Sequence, residues 1–93
     1  MPAGRRPVLI LTRASKIVSL TNVTIAPLTR TIRDIDTEVV LSTADGVPTL
    51  CAVSLDNILT IPKRMLDQRI TRLSDETMSD VFRAIRAVFG IHQ

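Results

Sequence analysis

Two arginine-bearing corners hold the residues of this chain best suited to chemistry. One is Arg5-Arg6-Pro7; the other is Thr29-Arg30, where the run Val23-Thr24-Ile25-Ala26-Pro27-Leu28 gives out. Arginine offers five N–H donors in a fixed fork that matches phosphate oxygens. A threonine hydroxyl adds one more hydrogen bond. The chemistry these groups support is stabilisation of charge on a phosphate. RNA asks least of them, because its 2′-hydroxyl is a built-in nucleophile that needs only orientation and a stabilised phosphorane-like transition state. Arginine at its ordinary pKa is a poor general base, which weakens any mechanism that has it remove a proton.

Other chemistries find fewer parts. His92 is the only histidine and lies one residue from the end. It reads as a frayed terminus, so a serine hydrolase would have no base. Cys51 is the only cysteine; set in Leu50-Cys51-Ala52-Val53, it reads as a reduced core residue, with no disulfide and no metal cluster. Asp34 and Asp36 would share a face on a strand and could take Mg²⁺, but a solvated charged loop is the favoured reading. The glycines are scattered at 4, 46 and 90, so no Gly-rich loop cradles phosphate. Neither a metal nor a cofactor is expected.

The charge distribution adds to the phosphate reading. Residues 1–36 hold six bases (Arg5, Arg6, Arg13, Lys16, Arg30 and Arg33), and only two acids, both after the last base. Residues 37–62 hold no base, and residues 63–93 mix six bases with four acids. A basic first third suits a polyanion; a basic solvated rim accounts for it equally well. With no apolar leader and no long apolar run, neither export nor a membrane span is expected, and the cytosol is the default.

The elements that must position these corners are mostly short strands. Residues 8–11 are apolar throughout and read as a strand buried on both faces, or central and covered. Residues 12–20 lose the pattern and suggest an exposed loop. Residues 23–29 form the next strand, which Pro27 should confine to an edge or break. Residues 30–36 make a charged loop, with Ile32 and Ile35 either pinning it or exposed. In residues 37–42, Val39 and Leu41 face one way and Glu38, Val40 and Ser42 the other. Ala44-Asp45-Gly46 and Pro48 mark a turn. Strand pattern resumes over residues 50–55, breaks at Asp56-Asn57 as a bulge or bend, and continues over 58–61 until Pro62. Residues 63–68 suit one helical turn or two, and 69–73 suit a short last strand with Ile70 and Leu73 inward.

Ser74 should cap a helix, with Asp75 and Glu76 at the positive end of its dipole. Met78, Val81, Phe82, Ile85, Val88 and Phe89 recur at helical spacing, and Gly90 stops it. That stripe reads as the face docked on the protein's own sheet rather than as a partner groove. Ninety-three residues make one domain, 1–93, with two phenylalanines as the only aromatics. So small a core gains from a partner surface, which makes a homo-oligomer plausible. Strands without alternating helices predict a strongly bent antiparallel sheet or barrel closed by a C-terminal helix.

Three blocks in series resemble the signatures of the MazF/PemK toxin endoribonucleases of type II toxin–antitoxin systems. They are Arg6-Pro7-Val8-Leu9-Ile10-Leu11, the strand ending Ala26-Pro27-Leu28-Thr29, and Leu55-Asp56-Asn57-Ile58-Leu59-Thr60-Ile61. The tail from Ile70-Thr71-Arg72-Leu73-Ser74 through the helix to Gly90 is similar as well. The resemblance implies a mainly β fold, a small SH3-like antiparallel barrel (MazF/CcdB-like) with a C-terminal helix. It implies a homodimer that cuts single-stranded RNA at short motifs without metal or cofactor, leaving 2′,3′-cyclic phosphate and 5′-hydroxyl ends. Arg6 and Thr29 correspond to the catalytic pair, the arginine handling proton transfer and phosphate charge and the threonine steadying the transition state. Arg5, Arg13, Lys16, Arg30 and Arg33 are the expected RNA-binding residues, the loop 30–36 matching one that holds RNA. Asp56 and Asn57 correspond to an Asp/Glu-Gln pair, near the RNA groove or the strand pairing. An antitoxin peptide across the RNA groove is the implied protein partner.

The family pattern usually begins with a further strand and a loop reaching the Arg-Pro corner. Here the chain starts almost at Gly4-Arg5-Arg6-Pro7, which fits a start site placed too late, a shortened member or a degenerate copy; if that strand is missing, residues 8–11 become an exposed edge unless a dimer partner covers them. Two other functions stay open on the sequence: a non-catalytic RNA-binding or degenerate toxin-like module, and a gyrase-type toxin acting on a protein through the same fold.

Overall fold

The computed structural model describes residues 6–90; Arg5 and His92 lie outside them. Five strands and two helices follow one another: β1 (Val8–Ile10), α1 (Ala14–Ile17), β2 (Asn22–Thr29), β3 (Glu38–Leu41), β4 (Cys51–Ser54), β5 (Leu59–Pro62) and α2 (Asp75–Val88). Single 3-10 turns at Thr43–Asp45, Leu55–Asn57 and Lys63–Met65 join the later elements.

β2 is the strand that everything else uses, and its sequence explains why. Val23, Ile25 and Ala26 are buried, as branched and small apolar side chains on a pleated surface should be. Its register is Val8↔Pro27 to Ile10↔Ile25 with β1, Val23↔Ile61 to Ile25↔Leu59 with β5, and Leu28↔Val53 and Thr29↔Ala52 with β4. β3 completes the sheet beside β4, with Val39 opposite Val53, and every pairing is antiparallel. β4 and β5 are thus one chain segment bent by the Leu55–Asn57 turn, so that both halves run along the same side of β2. The polar interruption at Asp56-Asn57 is that bend.

This arrangement corrects the expectation for Pro27. β2 is central and unbroken, not an edge. Pro27 falls in the gap after the last pair with β5 and before the first pair with β4, where no ladder N–H is needed. For residues 8–11 the buried or central reading is corrected and the edge reading agrees with the structure. The strand is neither central nor buried on both faces: β1 is an end of the sheet, order β1-β2-β4-β3, and Ile10 is exposed.

The closed barrel is overturned as well. Among the described residues the two outer strands, β1 and β3, do not meet, so the sheet is open and uncurled. Of the described residues 32% are helical and 27% in strands, a balanced α/β composition rather than a mainly β one. Closure needs strands long enough to tilt and stagger around an axis. Four of the five strands here have three or four residues, and the 3-10 turns use the chain that would have extended them.

α2 covers the sheet. Ser74 accepts the Thr77 N–H at 3.1 Å as the helix cap, and Gly90 ends the run at φ +69°. Val81 and Ala84 are buried beside Leu41, Val53 and Leu55, with Met78, Ile85 and Val88 packed around them. Each fully buried Leu or Val contributes about 1.5–3 kcal/mol relative to exposure. The predicted stripe is only partly inward: Phe82 is 49% and Phe89 66% exposed. Residues 69–73 form no strand, and Ile70 is exposed while Leu73 packs on the core. Residues 14–17 make a helical turn where a loop was expected.

The turn between β3 and β4 is fixed by local chemistry. Ser42 accepts the Ala44 N–H at 3.2 Å and donates its own N–H to Asp45 Oδ2 at 2.9 Å. Gly46 takes φ +93°, and a Cβ there would collide with Thr71 Oγ1. Only glycine meets both demands. Asp45 also accepts the Thr77 hydroxyl at 3.3 Å, joining this turn to the start of α2.

Candidate active site

Pro7 and Leu28 set the geometry of the arginine–threonine corner. The β1–β2 pairs fall at Val8↔Pro27, Leu9↔Ala26 and Ile10↔Ile25. One bond continues the ladder outward, the Leu28 N–H to the Pro7 carbonyl at 3.2 Å. The next step in that register sets Arg6 opposite Thr29. Directly opposed residues of an antiparallel pair project to the same face, so the two predicted side chains share a face at the open end of the ladder. Arg6 is exposed and Thr29 half-buried.

The Thr29 hydroxyl is oriented by the backbone two residues further on. Its Oγ1 accepts the Thr31 N–H at 3.1 Å, a turn that serine and threonine favour at strand ends. With an acceptor site used by the backbone, the O–H remains available as a donor. Arg30 is exposed beside it, and the loop runs on through Arg33, also exposed, to β3.

The predicted RNA-binding residues do not form one cluster. Arg30 and Arg33 follow Thr29 in the loop. Arg13 and Lys16, both exposed, lie beyond the other end of β1. The backbone stays paired with β2 as far as Leu11, whose N–H reaches the Thr24 carbonyl at 2.8 Å. At about 3.3 Å per residue, Arg6 and Arg13 are therefore roughly 20 Å apart. Lys63 joins the second group: its ammonium caps the α1 end, donating to the Ile17 carbonyl at 2.9 Å. With Arg64, it lines the shallow hollow between Val18–Thr21 and β5's end.

Asp56 and Asn57 occupy the 3-10 bend, both exposed. Thr37 donates its hydroxyl to Asp56 Oδ2 at 2.5 Å, and Asn57 donates to Ser54 Oγ at 2.7 Å. Both side chains therefore have structural work at the strand junction. Asp34 and Asp36 line a cavity of about 470 Å³ with Glu38, Arg83 and Ala87. Among the described residues no three His, Cys, Asp or Glu side chains converge as metal ligands. No helix among them is long and apolar enough to cross a membrane.

One residue was not legible as part of this site. Glu38 was assigned to the face of Val40, which is exposed, yet its own side chain is only 1% exposed. Its Oε1 accepts the Arg33 N–H at 3.0 Å, and Oε2 lies 3.3 Å from Arg33 Nε. Strand alternation carries no information about the chain-distant residues beside Glu38, which include Arg83, Ala84 and Ala87 of α2. Asp34, at φ +55°, supplies the sharp turn in the 30–36 loop, a conformation aspartate tolerates better than most residues.

This sheet, with its C-terminal helix, has known counterparts. The family model for PemK-like, MazF-like toxins of type II toxin–antitoxin systems matches residues 1–89, and the chain belongs to that family. Over 90 residues, 96% of this chain and 88% of the relative, it is 39% identical to the probable endoribonuclease MazF2 of Mycobacterium tuberculosis. The solved Mycobacterium tuberculosis toxin MazF-mt6 superposes with a TM-score of 0.89 at 40% identity, covering 95% of this chain and 89% of that one. An endoribonuclease from a mycobacterial species, solved with its cognate antitoxin, gives 0.84 at 26% identity, over 95% and 84%.

Proposed function

We propose that this chain is the toxin endoribonuclease of a type II toxin–antitoxin pair and that it cuts single-stranded RNA at short sequence motifs. The observation that carries the reading is the register that sets Arg6 opposite Thr29, in a chain whose relatives are endoribonucleases. In the proposed reaction the RNA 2′-oxygen attacks the adjacent phosphorus. The O2′–P bond forms and the P–O5′ bond breaks. O2′ loses a proton and the departing O5′ gains one, leaving a 2′,3′-cyclic phosphate and a 5′-hydroxyl. Arg6 supports the charge on the phosphoryl oxygens and, by family resemblance, the proton transfer. The Thr29 hydroxyl donates to the same phosphate, its own acceptor site being held by Thr31. The nucleophile belongs to the substrate, so these steps call on no metal.

Arg30 and Arg33 hold RNA next to the cut, with Arg13 and Lys16 contacting it farther along; Arg5 belongs to the same proposal. The working form is a homodimer. An antitoxin peptide lying across the RNA groove is the natural inhibitor, in keeping with the relative solved with its cognate antitoxin.

The test is incubation of purified protein with mixed RNA in EDTA, mapping of the new 5′ ends, and a supercoiling assay alongside. Cleavage at a recurrent motif with 5′-hydroxyl ends is expected. RNA that is bound but recovered intact would favour the non-catalytic module, and inhibition of gyrase without RNA cleavage would favour the protein-targeting toxin.

A further inference from the structure

We propose that Glu38 is a positioning residue, which holds the Arg33 guanidinium as a preformed fork for an RNA phosphate. The inference rests on the RNA reading above. Glu38 begins β3, opposite Ser54 in β4, and its side chain is buried beside Arg33 of the loop that leaves Thr29 and near Arg83, Ala84 and Ala87 of α2. That carboxylate meets Arg33 twice, accepting its backbone N–H at 3.0 Å and lying 3.3 Å from its Nε as an ion contact. The Glu38 N–H in turn reaches the Ile35 carbonyl at 3.1 Å. The far end of the loop is therefore clamped to the sheet, as its near end is clamped by the Thr29 hydroxyl.

As a stabilising device this is a poor arrangement. A buried carboxylate carries a large desolvation cost, which attraction repays only when its oxygens are well hydrogen-bonded. Here Oε2 has no partner in hydrogen-bond geometry, only the ion contact to Nε. What the contact does achieve is direction. It occupies the Nε edge of a guanidinium whose side chain is still 54% exposed, leaving the two terminal amino groups to donate. Those are the groups that match a phosphate in a fork. A side chain held in this way loses less conformational freedom when it binds.

The test is a substitution cycle: Arg33→Ala, Glu38→Gln and the pair. It is read as KM and kcat on a single-stranded RNA that the wild type cuts, and as the salt dependence of Kd for a fluorescein-labelled 2′-O-methyl RNA of random sequence. Arg33→Ala is expected to raise KM and Kd about tenfold with kcat kept, and to make the salt slope shallower by about 0.7. Glu38→Gln is expected to raise KM severalfold alone and to add nothing once Arg33 is gone. Arg33→Lys keeps the charge but cannot hold carboxylate and phosphate together, so it should bind nearly as weakly as Arg33→Ala.

Wild-type KM, Kd and slope in Arg33→Ala, wild-type affinity in Arg33→Lys, or an equal effect of Glu38→Gln with and without Arg33 would each overturn the proposal. The arginine substitutions decide it even if Glu38→Gln fails to fold. Wild-type protein that binds RNA without cutting it would defeat the cleavage reading, while the Kd arm would still decide the role of Glu38.

Discussion

Arg6 stands across the open end of the β1–β2 ladder from Thr29, one register step beyond the bond from the Leu28 N–H to the Pro7 carbonyl. Two residues far apart in the chain thus fall on the same face of one ladder because the sheet is antiparallel. In the proposed reaction the arginine supplies charge and donors and the threonine one further donor. β2 is paired on one side with β1 and on the other with β4 and β5.

The roughly 20 Å between the Arg6 corner and Arg13 implies that basic residues differ in what they do. Arg13→Ala with Lys16→Ala should leave cleavage of a short oligonucleotide spanning only the cut site unchanged. On a long RNA the same variant should show weaker binding and a shallower salt dependence. Equal losses on short and long substrates, measured as kcat/KM, would place those side chains at the corner itself.

Gly46 is a conformational requirement with a contact behind it. Gly46→Ala collides with Thr71 Oγ1 and must adopt φ +93°. It should lower stability by about 1–3 kcal/mol, read as a shift in the urea midpoint. Adding Thr71→Ala should return only part of that loss, because the backbone strain remains.

Cys51 is buried, and its thiol pKa is raised, first by desolvation and then by the negative charge of Asp45. In the folded protein the thiol should react slowly with iodoacetamide at neutral pH. The unfolded chain loses this proton more readily than the folded one. The contribution of Cys51 to stability is therefore full below the unfolded pKa and is lost as pH rises through the alkaline range towards the folded value. Urea titrations of wild type and Cys51→Ala should differ in their alkaline slope, the wild type losing stability faster.

Much of this was readable from residue types. Branched residues marked β2, Ser74 and Gly90 marked the ends of α2, and Ala44-Asp45-Gly46 marked the turn. The roles of Arg6 and Thr29 came from resemblance, since an arginine and a threonine carry no catalytic signature of their own. What stayed hidden depends on contacts distant in sequence. Pro27 looked like an edge signal, because nothing local says that β5 gives way to β4 beside it. The apolar run 8–11 looked central, although three paired residues at the sheet's end suffice for it. Closure of the sheet is a property of all strands together, and their shortness decided against it. The burial of Glu38 was hidden because alternation groups it with Val40 and Ser42 and says nothing of what packs beside each. The exposure of Phe82 and Phe89 likewise reflects how far the short sheet extends beneath α2.

Whether Arg6 and Thr29 act on one scissile phosphate is decided by a cycle of Arg6→Ala, Thr29→Ala and the double variant. The readout is single-turnover cleavage of an RNA that the wild type cuts, in EDTA, with each protein's fold confirmed by its thermal transition. Groups that act as a unit are non-additive. Each single substitution should therefore cost about a hundredfold or more, and the double variant little beyond the larger single loss. Cleavage at the wild-type rate by both single variants, or losses that simply multiply in the double, would contradict the account.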